Sequence, residues 1–260
     1  MISRNSIFAA AAMLILVTGS AAGPAANAQE SNEDELFNEK QIKALLDESQ
    51  SDTAFLVRLK MMRAHFKAAA GALAHGNHAE AVMHITHPRT EIYPEIASAL
   101  HSHGLKEFSG LLDGAERAFA GGNSEAMSSA LEAAYAYLDK AEATVDGGSP
   151  DSIGIRLDSA TLLLRAAVIE YQQAFEYSAL SNLVEYHDGA YFVDEARRLL
   201  DEMEPVLAAR DPAGSAKLKQ SLAALEQAWP PEEPPRESVL PFTKMQALVS
   251  IIELRINRLR

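Results

Sequence analysis

Apolar residues recur every three or four positions through most of the chain after residue 52, and this period constrains the fold more than any other feature. Such spacing places apolar side chains on one face of an α-helix, whereas a half-buried strand alternates them. The last stretch shows it clearly, with Met245, Leu248, Ile252 and Ile256 at core spacing. No convincing alternating pattern occurs. The sequence therefore predicts an all-α protein, an antiparallel helical bundle.

Turn-forming residues divide this pattern into helices. The clearest breaks are DGGSP (146–150) and PPEEPP (230–235). The first break predicts two halves, a His-rich half-bundle at 52–145 and a second half-bundle at 150–260, with a single domain as the alternative. ALAHGNHAEAV (72–82) and AFAGGNSEAMS (118–128) look alike, each a helix end, a Gly/Asn turn and a helix start. The predicted helices are 52–73, 79–85, 90–104, 106–120, 124–145, 151–177, 188–209, 213–228 and 242–259.

The N-terminus has the pattern of an export signal. Arg4 precedes an almost unbroken apolar run at residues 7–17, and Ala26-Asn27-Ala28 supplies a small-x-small cleavage site. The run is too short to span a membrane. We expect cleavage after residue 28 and a periplasmic protein that does not insert into the membrane, or a secreted one where no outer membrane exists. Residues 29–51 are expected to form an acidic, flexible N-terminal segment.

Composition excludes several classes of function. The chain has no cysteine, which rules out disulfides, thiolate metal sites, cysteine nucleophiles and thioether-attached haem. Its formal charge is −13, and cleavage would remove only the charge of Arg4, leaving −14. Such a balance argues against a nucleic-acid partner, which would require Lys and Arg on phosphates. Because His-Glu-x-x-His, Gly-x-Ser-x-Gly and glycine-rich phosphate motifs are also absent, we expect a binding protein rather than an enzyme.

Histidines are strongly clustered: seven of the eight lie between residues 65 and 103. The densest stretch is HITHPRTEIYPEI (84–96), which contains His84, His87, Glu91 and Glu95. On one regular helix these four side chains would share a stripe about 80° wide. Imidazole and carboxylate groups on one face of a bundle helix can form a metal site, and this donor set suits zinc, iron, nickel or copper(II). The seven clustered residues are His65, His75, His78, His84, His87, His101 and His103.

Two prolines interrupt this stretch. The ring of Pro88 would clash with the carbonyl of His84, and Pro88 donates no hydrogen bond, so the helix is expected to end or kink there. Thr90 would then cap a new helix with Pro94 in its first turn. We therefore expect a corner between two helices that still brings the four side chains together.

A second polar group lies at residues 169–177 and 184–196. In a bundle it could bring Glu170 and His187 against the histidine cluster as further metal ligands. The tyrosines and carboxylates of this group equally fit ordinary hydrogen-bonded packing.

Structural explanations remain open for the same residues. Glu91 in a first helical turn is favoured by the helix dipole, and His84 and His87 would stabilise a helix C-terminus. Four of the other clustered histidines flank glycines in loops, where polar residues belong: His75, His78, His101 and His103. A copper(I) site built from methionines is a further alternative, although methionines at helical spacing also fit a core. The methionines concerned are Met61, Met62 and Met83.

Over residues 52–258 the general plan resembles the imelysin-like family and the related periplasmic component of bacterial iron uptake. The resemblance implies an exported, cysteine-poor, Ala-rich bundle of two hairpin-like halves. It also implies a metal site that uses a histidine and a glutamate three residues apart. This chain contains no His-x-x-Glu. The nearest spacings are His87-x-x-x-Glu91, His103-x-x-x-Glu107 and His84-x-x-His87.

These observations together predict a periplasmic, helical-bundle protein that binds a transition-metal ion and is related to iron uptake. The expected ion is iron, zinc or copper, and the expected protein partner is a membrane transporter or another periplasmic protein. The alternative is a non-catalytic protein–protein interaction module without metal. The predicted metal ligands are His84, His87, Glu91, Glu95, His187 and Glu170.

Overall fold

The computed structural model describes residues 40–47, 51–146, 152–230 and 233–260. The predicted signal peptide, most of the predicted acidic segment and most of the break at 146–150 lie outside these ranges. The helices and strands are α1 (residues 40–47), α2 (Ser51–Ala74), α3 (His78–His87), a π-helical turn (Pro88–Ile92), α4 (Tyr93–Ser102), α5 (Ser109–Gly121), α6 (Ser124–Asp146), α7 (Ser152–Ala174), β1 (Phe175–Glu176), β2 (Ala179–Leu180), α8 (Leu183–Arg210), α9 (Pro212–Glu226) and α10 (Phe242–Leu259). The prediction of a helical bundle is confirmed.

The two similar Gly/Asn segments form the same local structure, as predicted. Gly76 and Gly122 end α2 and α5 with positive φ angles of 76° and 67°, a conformation that glycine adopts without a steric penalty. The asparagine that follows each glycine caps the next helix. The side chain of Asn77 accepts from the backbone N–H of Glu80, and that of Asn123 accepts from the N–H of Ala126.

Helix α2 runs through the middle of the molecule and packs against α3, α6, α7 and α8. Every described residue from 53 to 66 is buried, so the helix has no solvent-facing side over these four turns. It therefore departs from the predicted single apolar stripe, and it carries Lys60, Arg63 and His65 into the interior. One continuous core contains residues from both predicted half-bundles, since α2 contacts α7 and α8 directly.

Helices α7 to α10 form a ring of four in which each packs against its neighbours. Helix α7 contacts α8 and α10, and α9 contacts α8 and α10. The most extensive contact is between α7 and α8, which are joined by a two-strand hairpin, β1–β2. The Tyr177-Ser178 pair at its tip has positive φ angles of 48° and 73°, as a two-residue hairpin turn requires.

The hairpin corrects two predicted helix boundaries. Helix α7 ends at Ala174 rather than 177, and α8 begins at Leu183 rather than 188. Asn182 sets the earlier start, because its side chain accepts hydrogen bonds from the N–H groups of Val184 and Glu185. The second polar group therefore lies mostly on helices.

The prediction for the Pro88 region is correct in part: helix α3 ends at His87 and Pro94 lies in the first turn of α4, but the chain between them stays helical and Thr90 does not cap a new helix. Pro88 has helical angles, φ −54° and ψ −34°, and the chain continues through a π-helical turn into α4. The N–H of Tyr93 bonds to the carbonyl of Pro88, a wider i→i−5 pattern that inserts one extra residue. Pro94, in the first turn of α4, needs no intrahelical donor there. A π turn thus accommodates the two prolines without a change of helix.

Residues 40–47 also differ from the prediction of a flexible segment. They form α1, which buries Ile42 and Leu46 against the core. Within the part of the chain that the structure describes, no helix combines the length and apolar character that crossing a membrane requires.

Close packing between α7 and α8 gives a testable prediction about stability. A Cβ at Gly189 would lie 3.0 Å from Cζ2 of Trp229 and 3.1 Å from the backbone oxygen of Ala167. We expect Gly189→Ala to lower the free energy of unfolding by about 1–3 kcal/mol, because the backbone of α7 cannot easily move away. The matched control is Gly114→Ala in α5, where nothing lies within 4 Å, and which should stabilise by about 0.4–1 kcal/mol. Urea denaturation measures both, and equal effects of the two changes would contradict this account of the interface.

Candidate metal centre

The carboxylate of Asp188, in the second turn of α8, lies among three imidazoles. Its Oδ1 is 2.7 Å from Nδ1 of His65 on α2 and 2.9 Å from Nδ1 of His84 on α3. Its Oδ2 is 3.4 Å from Nδ1 of His87, at the end of α3. The Asp188 side chain is 1% exposed, and that of His84 is fully buried. Three helices that are distant in sequence thus direct nitrogen and oxygen donors to one buried point.

The donor atoms at this point are close together but poorly aligned for hydrogen bonds with one another. Within the described chain, Nδ1 of His65, Nδ1 of His84 and Oδ1 of Asp188 are all buried and have no partner with hydrogen-bond geometry, although they are within contact distance. Buried polar atoms are almost always hydrogen-bonded, because leaving one unpaired costs about 1–3 kcal/mol. Two imidazole nitrogens and a carboxylate oxygen that face one another are a donor set that can bind a divalent cation.

A second group adjoins the first through the other nitrogen of His84. Nε2 of His84 lies 3.3 Å from Oε1 of Glu80, and Nδ1 of His187 contacts the same oxygen. The amide of Asn77 donates to the other carboxylate oxygen, Oε2, at 2.5 Å, so the helix cap of α3 fixes the orientation of Glu80. His187 is 27% exposed, so this group is closer to solvent than the first.

The buried lysine and arginine of α2 pair with acids other than Asp188, so the positively charged partners available to Asp188 are imidazoles. Lys60 lies 2.5 Å from Glu142 and 3.8 Å from Glu195, and Arg63 lies 2.9 Å from Glu142. The buried cations of α2 are therefore paired with other carboxylates. Among the described residues, no lysine or arginine forms an ion pair with Asp188.

Without metal, a proton on His84 supplies the missing positive charge. Burial acts to lower the pKa of His84, but the carboxylates of Asp188 and Glu80 outweigh it and raise this pKa to about 9. Burial would raise the pKa of Glu80, yet hydrogen bonds from His187 and His84 lower it to about 2. The neighbouring imidazoles also hold the pKa of Asp188 well below its usual range against the effect of burial. Burial lowers the pKa of His65, so the second imidazole favours its neutral form.

A cavity of about 140 Å³ lies beside Asp188 and is lined by His65, His87 and both acidic and basic side chains. Five carboxylates and three cationic side chains line this cavity. Because the carboxylates outnumber the cations, the lining favours binding of a cation. Two of the cationic side chains are paired with Glu95: Nζ of Lys43 contacts it, and a guanidinium nitrogen of Arg58 is 3.7 Å away. The charged lining residues are Glu91, Glu95, Glu170, Glu185, Asp188, Lys40, Lys43 and Arg58.

The structure places the six predicted ligands at different distances from the centre. His84 belongs to both donor groups, and His187 belongs to the second. His87 contacts Asp188, and its Nε2 is 3.7 Å from Glu91. Glu91, Glu95 and Glu170 line the cavity but belong to neither compact group of donors.

The other candidates raised by the sequence lie elsewhere. His75, His78 and His101 are exposed, and His103 stacks on Phe55 with ring centroids 4.1 Å apart. The three methionines do not converge, since Met83 is 45% exposed, Met62 lies in the core and Met61 lines the cavity.

Three central residues were not predicted as ligands: His65, Glu80 and Asp188. His65 lies on α2 at a position that the apolar pattern assigns beside the core, and Glu80 is the ordinary helix-capping glutamate after Asn77. A charged residue inside an otherwise buried stretch was the available signal for His65 and Asp188. Their convergence depends on how α2, α3 and α8 pack, which sequence spacing does not reveal.

The donor set can bind a divalent transition metal. Each group contains two imidazoles and one carboxylate: His65, His84 and Asp188 in the first, and Glu80, His84 and His187 in the second. Two histidines with one carboxylate suit ferrous iron, and also zinc and copper(II).

The raised pKa of His84 can be measured in the metal-free protein. We expect the His84 ring to titrate near pH 9 in an NMR experiment, and Glu80→Gln to lower this midpoint, because the variant removes one of the two carboxylates. The unfolded value is 6.5, so the contribution of His84 to the free energy of unfolding is complete below pH 6.5 and is lost as pH rises through 9. A midpoint at or below 6.5 would contradict the described geometry.

Comparison with known protein families relates the second half of the chain to iron transport. Residues 149–259 match the model of the iron permease-associated 4-helix bundle domain. The matched segment contains α7 to α10, the ring of four helices, together with His187 and Asp188. The similarity supports an iron-uptake-related helical family and not the imelysin-like family in particular. No curated protein and no solved structure matches the chain.

Proposed function

We propose that this protein is an exported, non-catalytic metal-binding protein of an iron-uptake system, and that it holds a divalent transition metal, ferrous iron by preference, at Asp188. The observation that carries the proposal is the buried convergence of His65, His84 and Asp188, in which Oδ1 of the aspartate lies 2.7 and 2.9 Å from the Nδ1 atoms of the two histidines. Iron is favoured because two imidazoles and a carboxylate suit it and because residues 149–259 resemble an iron permease-associated domain. A membrane permease is the partner that this resemblance suggests.

The cavity supports the proposal by providing a route to the site. It reaches His65, His87 and Asp188, and carboxylates predominate on its wall. A hydrated cation would be attracted into such a cavity and would exchange its waters for the imidazoles at the inner end. Helix α1 contributes Ile42, Lys43 and Leu46 to the lining of the cavity. Release of the ion would follow the same path in reverse.

Metal binding is tested by calorimetry on tag-free protein with Fe²⁺ under anaerobic conditions, and with Zn²⁺, Cu²⁺ and Ni²⁺. We expect binding far tighter than millimolar, and a loss of more than about 100-fold in the double variant His65→Ala/His84→Ala, because both are direct ligands. The control is His75→Ala/His78→Ala, which changes two exposed histidines where α2 ends and α3 begins. This variant should bind metal with the affinity of the native chain. Binding no tighter than millimolar to any of these metals would favour an interaction module without metal.

The affinity should also depend on pH over an unusual range. A ligating imidazole must lose its proton, so protons compete with the metal below the pKa of that imidazole. Because the pKa of His84 is about 9, the affinity should still rise between pH 7 and pH 8.5, by up to about tenfold per pH unit. Titrations in several buffers at each pH would measure both the affinity and the protons released. An affinity that is constant above pH 7 would show that no proton has to leave His84 when the metal binds in this pH range.

A further inference from the structure

The two donor groups share His84 but use opposite sides of its ring. Nδ1 of His84 faces His65 and Asp188, and Nε2 faces Glu80 and His187. The lone pairs of the two ring nitrogens diverge, so one metal ion cannot bind both of them. Any ion in the second group is therefore a second ion.

The geometry points to a dinuclear centre in which the His84 ring, as an imidazolate, bridges two divalent metal ions. The inner ion is bound by His65, Asp188 and Nδ1 of His84, and the outer ion by Glu80, His187 and Nε2 of His84. This inference rests on the proposed function, since it requires that the inner group bind metal. It assigns a role as metal ligands to Glu80 and His187, two residues that would bind no metal if only the inner ion were present.

The second group is built as firmly as the first. Glu80 is 5% exposed, and the amide of Asn77 holds its Oε2, which leaves Oε1 directed at the two imidazoles. His187 precedes Asp188 on α8, so one helical turn supplies a ligand to each ion. The outer group thus takes its donors from α3 and α8, two of the three helices that hold the inner one.

The charges balance approximately. Two divalent ions carry four positive charges, and Asp188, Glu80 and the imidazolate supply three negative charges. The carboxylates that line the adjacent cavity offset the remainder. One ring proton of His84 leaves when the inner ion binds Nδ1, the other leaves when the outer ion binds Nε2, and the buffer accepts both.

Access differs between the two positions. The inner ligands His65, His84 and Asp188 are at most 4% exposed, whereas His187 is 27% exposed. The outer ion is therefore the one that exchanges faster with solvent, and the inner ion exchanges more slowly.

Copper(II) is the probe that distinguishes one ion from two, because ions joined by an imidazolate are magnetically coupled. We expect the tag-free full chain to retain two copper ions after dialysis, by elemental analysis, and to lose most of its isolated-copper EPR signal when the second equivalent binds. His187→Ala should retain one ion with a full isolated-copper signal. Its matched control is His78→Ala, which changes an exposed histidine two residues before Glu80. This variant should retain two coupled ions.

The decisive variant changes a partly exposed side chain, so loss of folding does not confuse the result; melting curves of each variant verify this. Glu80→Gln is the second variant and should likewise retain one uncoupled ion. One ion in the native chain, unaffected in number by His187→Ala, would overturn the inference and make Glu80 and His187 hydrogen-bond partners of a single site, leaving the proposed function intact. No retained ion, together with no binding of the other metals, would overturn both.

Discussion

The burial of one carboxylate, that of Asp188, organises the interior of this protein. An ionised carboxylate is tolerated in a core only when positive charge or hydrogen bonds compensate it. Here the compensation comes from imidazoles on α2 and α3, while the nearby lysine and arginine of α2 are paired with other acids. The fold must therefore keep three helices in register to satisfy a single side chain. This explains why α2 carries His65 into the centre of the bundle.

The same carboxylate joins the two parts of the chain that the sequence comparison separates. Asp188 and His187 lie in the segment that is similar to an iron permease-associated bundle, whereas His65, Glu80 and His84 precede it. Helices α7 to α10 close a ring by themselves, but that ring contributes only part of either donor group. The N-terminal helices complete the centre by packing α2 and α3 against α8. The metal-binding property proposed here thus belongs to the whole chain and not to the matched bundle alone.

Sequence periodicity predicts most helices to within a few residues, because amphipathic spacing and Gly/Asn stops are local signals. The last helix, 242–259, is predicted without error, and the structure places two of the predicted ligands, His84 and His187, in the donor groups. Local rules also explain the failures. Proline chemistry alone predicts a corner at Pro88, since a π turn is too rare to expect, and Glu80 is hidden because a glutamate after an asparagine cap needs no other explanation. Which histidine faces which acid is decided by helix packing over long sequence separations.

The π turn has a consequence for chains of slightly different length. Relative to a regular helix, its extra residue rotates everything that follows by about 100°, which returns Tyr93, Ile96 and Leu100 to the same side as Ala81, Ile85 and Pro88. All six are buried. A homologue shorter by one residue between positions 87 and 93 would keep both histidines of α3 in place. It would have an unbroken α-helix there, and the apolar residues of its α4 would keep the phase that they have here. Gap placement in this segment is therefore a structural question, and alignments should be anchored on the histidines rather than on the prolines.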